Sequence, residues 1–340
     1  ALHRRAFERG YAALARLALD TFDLFAELAD AGVCTTLIKP GLLHAFLSPE
    51  EARRYQRLPA KIDWAGYDVP TELLTGTDIT ALEPALSENV GAAYLIRGEG
   101  LVNPMEFTTS LAQVLQARGV DIAAGTTVTG IRRHNGTATA VSTNQGDLPC
   151  AAVVIAAGAW SGQLTAAPDT PLPLQSGKGY SFSARLATPP RHPIYLGDKN
   201  VAISPMDGLT RIAGTMELSG NNRNLDWRRI AAIANASRSY LGQWYDSPDD
   251  LISLIKDPWV AGRPMLPDGL PALDVLPSTG NAFVSTGHGM LGVTLAPVSG
   301  RAIADFVHTG RRPAILQPFR SDRFRPRARS TERKTMRLTA

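Results

Sequence analysis

Cysteine is scarce in this 340-residue chain, with only Cys34 and Cys150 present, 116 positions apart. They form neither a Cys-x-x-Cys pair nor the dense spacing of a disulfide scaffold, which points to a reducing compartment. No run of 18 or more apolar residues occurs, so no segment reads as a membrane span, and the charged opening ALHRRAFERG is not a secretory leader. Nowhere do His, Cys, Asp and Glu recur at metal-ligand spacing, and no Ser/His/Asp or paired-carboxylate constellation stands out. Metal-assisted hydrolysis and nucleophilic acyl transfer therefore have no support. Nucleic-acid motifs and internal repeats are also missing.

What is present is a composition able to bury a large core, 44% hydrophobic and 19% charged, at a length that suggests two domains. The formal charge of +4 is local in origin. Residues 320–340 hold eight Arg or Lys against two acids, leaving 27 basic and 29 acidic residues elsewhere. Such a run is either a solvated tail or a tether to an anionic membrane surface.

Periodicity predicts a helix from Tyr11, with Leu14, Ala18, Phe22, Phe25 and Leu28 on one side and Gly32 as its stop. A hairpin is expected over 33–47 with its turn at Pro40-Gly41, then a short helix over 49–56, whose Pro and two acids suit a first turn. Further on, the pattern predicts a helix over 104–118 and strands at 120–123, 126–132 and 137–143. Asn135-Gly136 marks a tight turn between the last two. The run AAVVIAAGAW (151–160) reads as a strand buried on both faces. Alternation over 172–259 predicts an antiparallel sheet carrying a helix over 225–245, followed by a strand at 282–285 and a helix over 294–308.

The hexapeptide GHGMLG (287–292) satisfies the Gly-x-Gly-x-x-Gly dinucleotide pattern. A parallel strand ending in a ribose-binding acid should come after it, but the chain continues with Asp305 within a helix and then HTGRRPAILQPF, so NAD binding is rejected. The physical content survives: close backbone approach without Cβ atoms, and helix N–H groups aimed at something electron-rich.

In combination these segments resemble a known family. Residues 259–274 (WVAGRPMLPDGLPALD) and 281–307 are similar to the C-terminal signature of the FAD-dependent D-amino-acid oxidase superfamily, nearest to D-amino-acid dehydrogenases and glycine oxidases. TALEPAL (80–86), GLVNP (100–104), VVIAAGAWSGQL (153–164) and SGKGYSF (176–182) resemble further blocks in the family's order, and the resemblance runs from Leu14 to Phe319. It implies an α/β fold, α+β overall. An FAD-binding Rossmann-like domain (1–32, 98–168, 260–320) would interleave with an antiparallel-sheet substrate domain (33–97, 169–259), followed by a basic tail (321–340). The family's N-terminal βαβ unit has no counterpart before Leu14, so the FAD-binding domain is expected to be incomplete.

The resemblance also implies FAD as cofactor and oxidative deamination of D-amino acids to 2-oxo acids and ammonia, the α-hydrogen leaving as hydride to flavin N5. That chemistry rests on positioning and needs no catalytic acid or base. Arg263 matches the arginine that pairs with the substrate carboxylate, its planar guanidinium suited to two parallel hydrogen bonds; the alternative is a loop arginine. Tyr180 matches an aromatic position facing substrate, or else packs with its tip in water. Gly289, Met290, Leu291, Gly292, Val293 and Thr294 would present N–H groups to the isoalloxazine edge. Ala157, Gly158 and Trp160 would approach the FAD pyrophosphate or ribose, and Val128 the adenine, unless these residues only fill the core. His288 reads equally as a flavin neighbour or a packed loop residue. Glycine oxidases carry an arginine near the place of Met290, which argues against a copy of that pocket. Two rivals stay open: a glycine or sarcosine-type oxidase using dioxygen, and a non-catalytic remnant. The expected partners are an amino-acid substrate and a quinone or other electron acceptor, in the cytoplasm or at the inner-membrane periphery.

Overall fold

The computed structural model describes residues 2–165 and 172–324. Two helices open the chain, α1 (Leu2–Ala18) and α2 (Thr21–Asp30), where the periodicity predicts one; the break falls at Leu19-Asp20, and Gly32 turns the chain at φ +93°. The hairpin expected over 33–47 does not form. Gly41 does adopt φ +84°, yet upstream of it only Ile38 makes a bridge, to Leu101, while β1 (Leu42–Phe46) pairs with distant strands. In α3 (Pro49–Gln56) Glu50 and Glu51 sit at the positive end of the helix dipole, as the sequence predicts, and the Ser48 side chain adds a cap by accepting the Glu51 N–H.

After α4 (Thr77–Leu82) and β2 (Ala92–Ile96) comes α5 (Pro104–Ala117), capped by Asn103, whose side chain accepts the N–H groups of Met105 and Glu106. The strand expected at 120–123 is absent. Strands β3 (Val128–His134), β4 (Thr137–Thr143) and β5 (Gly146–Pro149) form a meander of their own, turning through Asn135 (φ 48°) and Gly136 (φ 74°). Next is β6 (Val153–Ile155), shorter than the expected strand and buried on one side only, since Val154 is exposed. A 3-10 turn, Gly158–Trp160, leads into α6 (Ser161–Leu164).

The rest of the chain supplies β7 (Gln175–Ala184), β8 (Ile194–Leu196), β9 (Val201–Met206), β10 (Leu209–Glu217), α7 (Trp227–Leu241), α8 (Pro248–Leu254), β11 (Lys256–Met265), β12 (Ala272–Val275), β13 (Ala282–Thr286) and α9 (Gly292–Thr309). Seven strands make the main sheet, in the order β11-β7-β10-β9-β8-β1-β2, antiparallel except for the β1–β8 pair. One face buries Leu43, Phe182, Ile203 and Ile212 against Ile230 and Ile233 of α7. This sheet continues through Met265, five residues past the boundary expected at 260.

A three-stranded sheet, β12-β13-β6, is backed by α9, α1 and α2 through Leu17, Leu24, Phe283, Leu295, Ile303 and Phe306. By length and composition the segment Gly289–Thr309 could cross a membrane, but here it is a core helix with Arg301 and Asp305 on its outer side. Asp274 of β12, 1% exposed, accepts from Arg312 Nε (2.9 Å), the Ser321 N–H (2.9 Å) and Ser321 Oγ (3.1 Å), so it fastens residues 312–321 onto the sheet. A groove of about 510 Å³, lined by Val154, Ala156, Ser285, Ala304, Val307 and His308, runs between β6 and α9. Ser321–Phe324 forms a 3-10 turn, and residues 325–340 of the basic tail lie outside the described residues.

Candidate active site

Strands β6 and β13 run parallel, Ile155 opposite Val284, and their C-terminal ends deliver two turns to one place. The Thr286 hydroxyl donates to the Gly158 carbonyl at 2.9 Å, joining the turn Gly158–Trp160 to the segment that opens α9. Carboxyl ends of parallel strands are where α/β sheets collect ligands, because loops and helix N-termini converge there. Gly158 (φ 53°) and Gly289 (φ 57°) hold left-handed conformations with open space where a Cβ would project. No side chain caps α9, leaving the N–H groups of its first turn for another acceptor. Around them Met290 (74% exposed), Leu291, Val293 and Trp160 form an apolar rim. Ala157 is half-buried beneath it, and the carbonyl of Thr294 already accepts the Thr21 hydroxyl at 3.2 Å.

Arg263 reaches the same place from the main sheet. Met265, two residues on, bridges to His288, so the end of β11 lies against the glycine-flanked segment. The guanidinium of Arg263 spans Gly179 of β7, where a Cβ would stand 2.1 Å from both Nη atoms; glycine at 179 is what gives it room. Its Nη1 donates to the Thr215 carbonyl at 3.2 Å and lies 3.9 Å from Met216 Sδ. Among the described residues no carboxylate pairs with it. Burial lowers its pKa below the ordinary arginine value, the signature of a cation without a local anion. Thr215 supplies the holding carbonyl from a bulge in β10, at φ 59°, and its own hydroxyl is buried without a partner.

Tyr180 does not join Arg263. Side chains alternate along β7, and the register pairs Arg263 with Gly177 and Tyr180 with Val260, which puts arginine and tyrosine on opposite faces of the sheet. The tyrosine is 1% exposed and its hydroxyl donates to Glu217 Oε2 at 2.5 Å. Burial, more than any neighbour, raises its pKa. The same pocket holds Lys178, 2% exposed, whose Nζ donates to Asn222 Oδ1 (2.9 Å) and the Asn224 carbonyl (3.2 Å) and lies 3.5 Å from Glu217. Arg229 Nε sits 2.9 Å from the same carboxylate. Hydrogen bonds from Ser219 and then Tyr180, with Lys178 and Arg229 nearby, lower the Glu217 pKa to about 2. This network fixes the loop between β10 and α7, and no local sequence signal announces it. From that loop Arg223 lies over the Trp160 ring at 5.8 Å.

His288 is packed, its Nε2 3.0 Å from Ser299 Oγ of α9, and burial lowers its pKa to about 4. The ring is therefore neutral at ordinary pH. Val128 is exposed on β3, a strand that packs against α6 just beyond Trp160. No group of three or more His, Cys, Asp or Glu able to hold a metal occurs among the described residues.

The model of the FAD dependent oxidoreductase family matches residues 2–306. A D-amino acid dehydrogenase of Rhizorhabdus wittichii is 34% identical over 257 residues, 73% of this chain and 59% of that protein, so this chain spans less than two thirds of that relative's length. A D-amino-acid oxidase of Bradyrhizobium diazoefficiens is 29% identical over 319 residues, 92% of this chain and 73% of the relative. Among solved structures, glycine oxidase from Geobacillus kaustophilus superposes with a TM-score of 0.80 at 26% identity, covering 91% of this chain and 82% of that one.

Proposed function

This chain belongs to the FAD-dependent oxidoreductase family, and from that premise we propose that it oxidises the α-carbon of D-amino acids, releasing 2-oxo acid and ammonia after hydrolysis of the imine. The residues present fit the ring end of FAD: an uncapped helix start, two open left-handed glycines and the apolar rim of Met290, Leu291, Val293 and Trp160. When bound, FAD supplies the two-electron acceptor. The N–H groups of Gly289, Met290, Gly292, Val293 and Thr294 would favour negative charge there, that of Leu291 being spent on the His288 carbonyl at 2.9 Å, with Ala157 and Gly158 on the neighbouring turn and Val128 toward the adenine.

One observation carries the reading: a half-buried guanidinium, Arg263, unpaired with any carboxylate among the described residues and set beside that segment. It would take the substrate carboxylate by two charge-assisted hydrogen bonds and so fix the α-carbon. His288, neutral above about pH 4, presents no competing charge to the amine. The acceptor in this reading is a quinone or other carrier, in the cytoplasm, with the basic tail beyond residue 324 touching an anionic membrane. Liposome flotation with and without residues 325–340, a cut that leaves Ser321 on Asp274, tests that contact, and equal flotation removes it.

Turnover of a panel of D- and L-amino acids with added FAD and a redox dye tests the main reading, with 2-oxo acid measured directly. D isomers should give 2-oxo acid and R263A should abolish it. Product from neither isomer, or undiminished product in R263A, would overturn the assignment.

A further inference from the structure

Arg263 is not alone on its face. Arg211, on β10, reaches across to β7, where its Nη2 donates to Ser181 Oγ at 2.7 Å and its Nη1 to Ser183 Oγ at 3.1 Å. Nη1 also donates to the Asp257 carbonyl at 2.9 Å. These bonds use three of the five N–H groups of a guanidinium and leave two unused. The Asp257 carboxylate is felt by Arg211 electrostatically but forms no ion pair with it, and burial lowers the Arg211 pKa.

Gly179, Ser181 and Ser183 share one face of β7, as every second residue of a strand must. One guanidinium therefore lies over Gly179 and another over the next two positions, spaced at intervals of about 7 Å. The floor around them is shallow. Ala213 lies opposite Ser181, and Ala202 opposite Ala213 is exposed, so solvent reaches this face. On the other side of Ser181 stands Trp259, also exposed, as a wall. Two partly buried cations on one face, neither ion-paired with a carboxylate among the described residues, leave an uncompensated charge that a ligand with two anionic ends would offset.

We propose that Arg211 reads a second carboxylate, and that the substrate class is the amino acids carrying a side-chain carboxylate. This rests on the reading of Arg263 as the anchor of the first. The α-carboxylate would sit on Arg263 and the distal one on the two free N–H groups of Arg211, with the small residues of β7 and β10 beneath the chain between them.

Calorimetric titration of the full chain with succinate and with propionate tests this. Succinate is expected to bind about tenfold more tightly, the worth of an added charge-assisted pair. R211Q should collapse that ratio to about one, R211K should hold an intermediate ratio, and R263Q should weaken both ligands. Equal affinity for succinate and propionate in the unaltered chain would overturn the proposal, as would R211Q weakening both ligands by the same factor. Propionate binding undiminished in R263Q would instead refute Arg263 as anchor, while the R211Q ratio still judges the second site; binding of neither ligand would overturn both.

Discussion

Replacing Gly179 with alanine tests the geometry of the anchor without touching the anchor itself. The added Cβ would stand 2.1 Å from Nη1 and Nη2 of Arg263 and 2.2 Å from Cζ, whereas ordinary contact begins at 3.4 Å. The guanidinium must therefore retreat by about 1.3 Å or the strands must part. A guanidinium is the free end of a flexible side chain, so retreat is the cheaper course, and it forfeits the 3.2 Å bond to the Thr215 carbonyl. Stability should fall by about 1 kcal/mol, one neutral acceptor lost by a cation that can still reach water. Carboxylate binding should suffer more, because a paired charge-assisted interaction contributes about 1.5–3 kcal/mol, about ten- to a hundredfold in Kd. Calorimetric titration with a monocarboxylate, together with urea denaturation of the same sample, separates the two effects. Unchanged affinity in a fully folded G179A would refute the assignment of Arg263. A stability loss beyond about 3 kcal/mol would show that the strands, not the side chain, absorb the clash.

Thr215 is a β-branched residue at φ 59° with an orphaned hydroxyl, so T215G should stabilise the fold by about 1 kcal/mol, read as a higher urea midpoint; a lower midpoint contradicts the strain. Burial lowers the pKa of both His44 and His288 to about 4. The unfolded chain protonates near 6.5 and the folded one only near 4, so stability is fully present above pH 6.5 and declines as pH falls toward 4, by about 2 kcal/mol per histidine at pH 5. H44F keeps the stack on Tyr94 (ring centroids 4.8 Å apart) and should remove half of that decline in urea titrations at pH 7 and pH 5. K178M deletes the donor that holds Asn222 and the Asn224 carbonyl, and hydrogen exchange should quicken across residues 218–226; unchanged exchange would show that Glu217 and Arg229 suffice to hold the loop.

Elements whose stop and start signals are local were legible in the sequence. Pro49 with Glu50 and Glu51 at α3 and the Asn135-Gly136 turn each act on their immediate neighbours, whereas the caps Ser48 and Asn103 emerge only in the structure. Partner choice was not legible. Gly41 makes its turn, but β1 pairs with β2 and β8, so nothing near 33–39 could reveal that the upstream half of the hairpin is missing. The site divides the same way. Arg263 and the glycine-flanked start of α9 were readable because each lies in a contiguous block. The face of Tyr180 was not, because it depends on the register between β7 and β11, a contact across some 80 positions set by core burial on the α7 side. Arg211 sits in an ordinary alternating strand, and only the fold discloses that no carboxylate among the described residues forms an ion pair with it.

Asp274 carries a consequence for how short the chain can be made. Its carboxylate is enclosed by the sheet and, among the described residues, is satisfied by groups at 312 and 321, after the last long helix has ended. Cutting the polypeptide at the close of α9 would strand a desolvated negative charge in the interior. The minimal folding unit therefore extends through residue 321, and the stretch beyond α9 works as the latch of the domain.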